Sequence, residues 1–207
     1  MNEKVGLMMS RVSFLIIWLG FILYSVFLAP DGNGSYLSDL LKMNDPDAGL
    51  LAMFSLLGVF PAVFAILLLR NDSGSVPAWP FVVGSFVLGA FSLLPYFILN
   101  KNKERSNRTP NKVRKFLQSR GLSIVLIGLT FGLMMYGLFA GEATIYQKAF
   151  LESNFVHVMT IDFLVLTGLS IVALRDRDGV AGWIALLPII GPLSLVITKN
   201  GKERKHA

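Results

Sequence analysis

The sequence predicts an all-α, polytopic transmembrane helix bundle of five or six helices, and three observations carry that prediction. Of 207 residues, 54% are hydrophobic and 15% charged, whereas a soluble domain carries roughly 25% charged residues. The apolar residues gather into six runs, residues 12–29, 49–69, 78–99, 121–140, 155–174 and 180–198. Each is near the ~20 residues needed to cross a ~30 Å hydrocarbon layer. Between the ends there is one long hydrophilic stretch, the basic residues 100–120. Such spans leave no room for a large extramembrane domain, so residues 1–207 read as a single integral membrane domain whose first partner is the lipid bilayer.

Taken in order, residues 12–29 form an uncharged run of 18. A signal peptide is the alternative, but the run exceeds the usual apolar core of about 7 to 15 residues, and Phe27-Leu28-Ala29 puts bulk where cleavage needs small side chains. A retained helix is expected. Residues 30–48 are rich in turn formers and hold Asp31, Asp39, Asp45 and Asp47 against Lys42. Asp31, Asn33 and Ser35 have the opening spacing of a calcium loop. Tyr36 and Lys42 stand where that loop needs Gly and a bidentate Glu, so a solvated acidic loop is expected instead.

The second run contains Pro61, which removes a backbone donor and predicts a kink near residues 57–61. Pro77-Ala78-Trp79-Pro80 then marks the start of a helix, with proline suited to the first turn and tryptophan to the headgroup level. The third run, 78–99, is expected to cross as one span, and it carries Ser85 and Gly89 four apart.

The basic stretch holds Lys101, Lys103, Arg105, Arg108, Lys112, Arg114, Lys115 and Arg120, eight of the nineteen Lys and Arg. Cations that flank apolar segments face lipid headgroups rather than nucleic acid. Lys112, Arg114 and Lys115, interleaved with Val113, Phe116 and Leu117, suit contact with an anionic leaflet; a solvated loop that only sets topology is the bland alternative. The fourth run pairs Gly128 with Gly132 and Gly137 with Gly141, a spacing that lets helices approach closely. Residues 142–154 suit a short interfacial helix, with Ile145, Tyr146, Ala149 and Phe150 on one side. The fifth run ends at Arg175-Asp176-Arg177-Asp178-Gly179. The sixth holds Pro188 and Pro192 and is expected to be broken or re-entrant.

Cation counts set the expected orientation. With six crossings, eleven Lys and Arg face eight. With a re-entrant sixth segment the division becomes fifteen against four, which places the basic loop and the C-terminus in the cytoplasm and the N-terminus outside.

Few groups in these runs can carry chemistry. Cysteine is absent, which excludes disulfides, thiolate metal sites and cysteine nucleophiles. Asp162 lies about 10 Å into the fifth run by helical rise, where a carboxylate must be paired, hydrated or protonated. It is either a proton or cation site or a carboxyl bonded to a neighbouring helix. His157 and Thr160 share a helix face, about 140° around from Asp162. His157 is read as hydrogen-bonded or headgroup-facing, because no second histidine or cysteine lies near to complete a metal site. No catalytic residue, cofactor or metal site is expected.

Two stretches, residues 76–97 with VPAWPF and LLPYF, and residues 155–177 with FVHVMTIDF running into RDR, resemble uncharacterised polytopic membrane proteins of bacteria, cyanobacteria and plastids. The resemblance implies an integral membrane protein and a role for Asp162; it supplies no substrate or catalyst. The expected location is the cytoplasmic membrane of a bacterium, as a multi-pass protein, since no transit-type segment precedes the first run. The first functional expectation is a non-enzymatic scaffold, assembly or accessory subunit that contacts other membrane proteins or its own copy. The alternative is a small proton- or cation-coupled transporter or channel-like protein that uses Asp162. An enzyme acting on lipid comes third, because no convergent pair of catalytic groups is visible.

Overall fold

The structure is a computed structural model that describes residues 2–32, 34–70, 72–100, 107–178 and 189–194, with side chains omitted for residues 2–10 and 175–178. All regular secondary structure among the described residues is helical, with no strand. In chain order the helices are α1 (Asn2–Phe27), α2 (Tyr36–Lys42), α3 (Ala48–Phe64), α4 (Trp79–Leu88), α5 (Ala90–Leu99), α6 (Asn111–Leu117), α7 (Arg120–Ala140), α8 (Ala143–Glu152) and α9 (Asn154–Asp178). Three stretches among them are long and apolar enough to cross a membrane: Ala48–Leu69, Arg120–Ala140 and Asn154–Leu174. Shorter apolar helices are Arg11–Phe27, Trp79–Leu88 and Ala90–Leu99.

Local chemistry sets the helix starts. The Asp47 carboxylate accepts from the Gly49 and Leu50 amides at 2.9 and 3.1 Å and opens α3. The Ser119 hydroxyl accepts from the Leu122 amide at 3.2 Å and opens α7. Each cap satisfies donors that the helix cannot pair itself. Helix α3 continues through Pro61, and its irregular part lies farther on, as a π-helical turn at Ala65–Leu69.

The third apolar run departs from expectation. It consists of two ten-residue helices, α4 and α5, separated at Gly89 and folded back on each other. The Phe81 ring lies 5.7 Å from that of Tyr96, although a continuous helix would hold them ~22 Å apart. The Ser92 hydroxyl donates to the Phe81 carbonyl at 2.9 Å, and the Ser75 amide donates to Asn100 Oδ1 at 3.1 Å. The hairpin therefore starts and finishes at one end of the bundle, and each ten-residue arm is ~15 Å long.

The paths of the other long helices follow from their contacts. At that same end Arg11 donates to the Asn100 carbonyl at 2.9 Å, while Tyr24, thirteen residues on in α1, reaches His157 near the start of α9. Helix α3 runs in the opposite sense, and α7 returns antiparallel to it, with Gly137 and Gly141 against Ala52 and Gly49. Helix α9 runs parallel to α3, with Phe155 beside Phe54 and Phe163 beside Phe60, and passes the π-helical turn. Arg11, Arg70, Arg108, Lys112, Arg114, Lys115 and Arg120 thus gather at the hairpin's open end. Asp31, Asp39, Asp45, Asp47, Glu142 and Glu152 gather at the other, with Lys42 and Lys148. The N-terminal helix accordingly starts at the same end as the basic stretch, contrary to the orientation expected from counting 78–99 as a crossing.

The main core joins α3, the π-helical turn, α4, α5 and α9 around Phe60, Phe64, Leu93, Leu94, Leu166 and Leu174. Ile189 and Leu193, which flank Pro192, are buried in it too, and residues 190–194 form a helical turn. The rest of the sixth apolar run, Pro188 included, lies outside the described residues, as do Lys101, Lys103, Arg105 and the C-terminal cations.

Candidate functional site

The hairpin tip and Asp162 make one unit. Gly89 has φ +52° and ψ −129°, a conformation L side chains rarely adopt. A β-carbon there would also run into the Asp162 carboxylate. The turn frees the first amides of α5, and the Ala90 amide donates to Asp162 Oδ1 at 2.8 Å. Asp162 therefore acts as an N-cap supplied by another helix, at the positive end of the α5 dipole. The carboxyl is thus bonded to a neighbouring helix, one of the two settings that its place in an apolar run allows.

The cap uses one oxygen. No described residue donates to the other, although Asp162 is only 8% exposed. The carboxylate lies on the wall of a cavity of about 500 Å³ bounded by α3, the hairpin tip and the first half of α9. Because the hairpin extends only part-way from the basic end, space remains beyond its tip, on the side of the acidic end. Asp162 is the one ionisable side chain in its described lining. Ser85, also in the wall, donates its hydroxyl to the Val82 carbonyl at 2.7 Å.

His157 and Thr160 belong elsewhere. His157 Nδ1 is 2.9 Å from the Phe150 carbonyl, and Nε2 is 2.5 Å from the Tyr24 hydroxyl. A carbonyl can only accept, so Nδ1 carries a proton and donates it there, while the Tyr24 hydroxyl bonds Nε2. Stacked on Phe150 at 4.2 Å, the ring ties α1, α8 and α9 together. Thr160 donates to the Val156 carbonyl at 2.8 Å and receives the Tyr146 hydroxyl at 2.7 Å. Burial pushes the Tyr146 phenol above its ordinary value, while the Thr160 bond pulls it the other way. His157 thus faces α1 and α8, Thr160 faces α8 and Asp162 faces α5, so the three form no common centre. Among the described residues no group of three or more His, Asp or Glu is placed to hold a metal ion.

Of the four glycines expected to pack, Gly137 near the end of α7 and Gly141 just beyond it lie against α3, whereas a β-carbon added at Gly128 or Gly132 would meet nothing within 4 Å. Helix α6 buries Leu117 and leaves Phe116 63% exposed beside Lys112 and Lys115, with Arg114 half-buried. That arrangement suits a basic, partly apolar surface segment.

One polar cluster escaped the sequence reading. Asp72, 1% exposed, accepts from the Ala78 amide at 3.2 Å and pairs with Arg108 at 3.5 Å. Arg108 also donates to the Gly74 carbonyl at 2.7 Å. Asn107 accepts from the Asp72 amide at 3.2 Å and donates to the Arg70 carbonyl at 3.0 Å. The cluster fastens the hairpin's open end to the basic stretch. Its sequence signal was weak: one carboxylate in a short connection, and one arginine among eight cations.

No family model, curated protein or solved structure matches this chain.

Proposed function

We propose that the chain is a multi-pass protein of a bacterial cytoplasmic membrane that binds a cation or proton at Asp162, acting as a small transporter or channel-like protein. In this reading α1, α3, α7 and α9 cross, and α4 and α5 form a re-entrant hairpin whose tip reaches the middle of the bilayer. The basic end faces the cytoplasm. Among the described side chains, seven cations at that end against two at the other support the orientation. The observation that carries the function is the Asp162 carboxylate, capped on one oxygen and bordering a cavity at a helix break. Interrupted helices near mid-membrane form ion and substrate sites because their free backbone ends can meet charge there.

The test is flux into liposomes that contain the purified protein. A proton or monovalent-cation flux in the wild type that disappears in Asp162→Asn supports the reading, since Asn keeps an acceptor for the Ala90 amide. No flux in the wild type, with Asp162→Asn lowering abundance or changing the oligomer, supports the scaffold reading instead. One observation favours that second reading: among the described residues only 17% of the α7 span is buried, against 56% for Ala48–Leu69, and the Gly128 and Gly132 side suits packing against another helix.

A further inference from the structure

We infer that the Asp162 cavity binds an amphiphilic organic cation, such as a quaternary ammonium or protonated amine with an apolar body. This rests on the reading of Asp162 as a solute site and specifies its ligand. The cavity, about 500 Å³, matches the ~300–1,000 Å³ of small-organic-molecule sites and exceeds what a proton or bare metal ion needs.

The wall chemistry points the same way. A hard metal ion replaces its water shell with about six to eight oxygens, whereas this lining offers one carboxylate and few other polar groups among aromatic side chains. Phe54, Phe86, Phe91 and Phe155 border the space. Aromatic faces attract organic cations, and more strongly where water is excluded. A neutral hydrocarbon or a lipid tail would fill the volume and leave a buried carboxylate oxygen without a partner, which is costly. A single positive charge on an apolar body satisfies both features at once. The carboxylates at the acidic end lie on the side towards which the cavity extends, and they raise the local concentration of cations there.

The experiment uses the full-length protein in nanodiscs and equilibrium dialysis with benzyltrimethylammonium, compared with its neutral carbon isostere neopentylbenzene. The expected result is saturable binding of one cation per chain, with the hydrocarbon about tenfold weaker or more. Asp162→Asn should weaken cation binding about tenfold. Gly58→Leu provides a second test: Gly58 borders the cavity, and a β-carbon there meets nothing within 4 Å. Filling the space should abolish binding with Asp162 intact, and this variant decides the matter if Asp162→Asn does not fold. Equal binding of cation and hydrocarbon, or unchanged cation binding in both variants, overturns the inference. Asp162-dependent proton or metal-ion flux without benzyltrimethylammonium binding also overturns it while leaving the transport reading intact. Loss of both defeats both.

Discussion

Gly89 is held in place by two separate requirements, its backbone angles and the carboxylate against its α-carbon. Gly89→Ala should destabilise the protein by about 1–3 kcal/mol from the backbone conformation alone, with the displaced Asp162 adding to it. Thermal unfolding in detergent should report the loss, while Gly58→Ala, whose β-carbon meets nothing, should unfold near the wild-type temperature. That Asp162 needs a partner was legible in the sequence, because a carboxyl inside an apolar run must be paired, hydrated or protonated. Its partner was not, since an amide freed by a turn leaves no trace in residue type. His157 illustrates the same limit: its partners, Tyr24 and the Phe150 carbonyl, come from other helices, one of them by a backbone atom.

Helix pairing divides Gly128, Gly132, Gly137 and Gly141 into two classes. A β-carbon on Gly141 would come within 2.6 Å of the Gly49 amide nitrogen, and one on Gly137 within 2.7 Å of the Ala52 β-carbon. Gly141→Ala and Gly137→Ala should therefore lower stability or force α7 away from α3, with Gly141→Ala the more damaging. Gly128→Ala and Gly132→Ala should leave the unfolding temperature unchanged or raise it, by up to about 1 kcal/mol from helix propensity. The spacing of four identified close-packing glycines without showing which pair faces a neighbour. The hairpin was hidden for a related reason. Hydropathy over 78–99 is the same whether the run crosses or doubles back, and Gly89, four residues beyond Ser85, carried the one clue.

At the scale of the whole chain, the charge count and the helix paths agree once the number of crossings changes. Treating 78–99 as a span put the N-terminus opposite the basic stretch; folding it back brings both to one end. Since the chain lacks cysteine, single replacements can map this in intact cells. Asn2→Cys and Lys115→Cys should both resist a membrane-impermeant thiol reagent, and Asp45→Cys should react. Labelling at Asn2→Cys with protection at Lys115→Cys would restore the odd number of crossings between them and defeat the re-entrant hairpin. The hairpin also bears on how the protein is made. In the proposed orientation, the described hydrophilic segments that an insertion machinery must export are residues 28–47 and 141–153. Together they hold six carboxylates and two lysines. An inside-negative potential favours outward movement of each carboxylate by about 2.3 kcal/mol per 100 mV. In that orientation α4 and α5 would enter and leave through one face, and the arginines and lysines beside them would be spared the opposing journey.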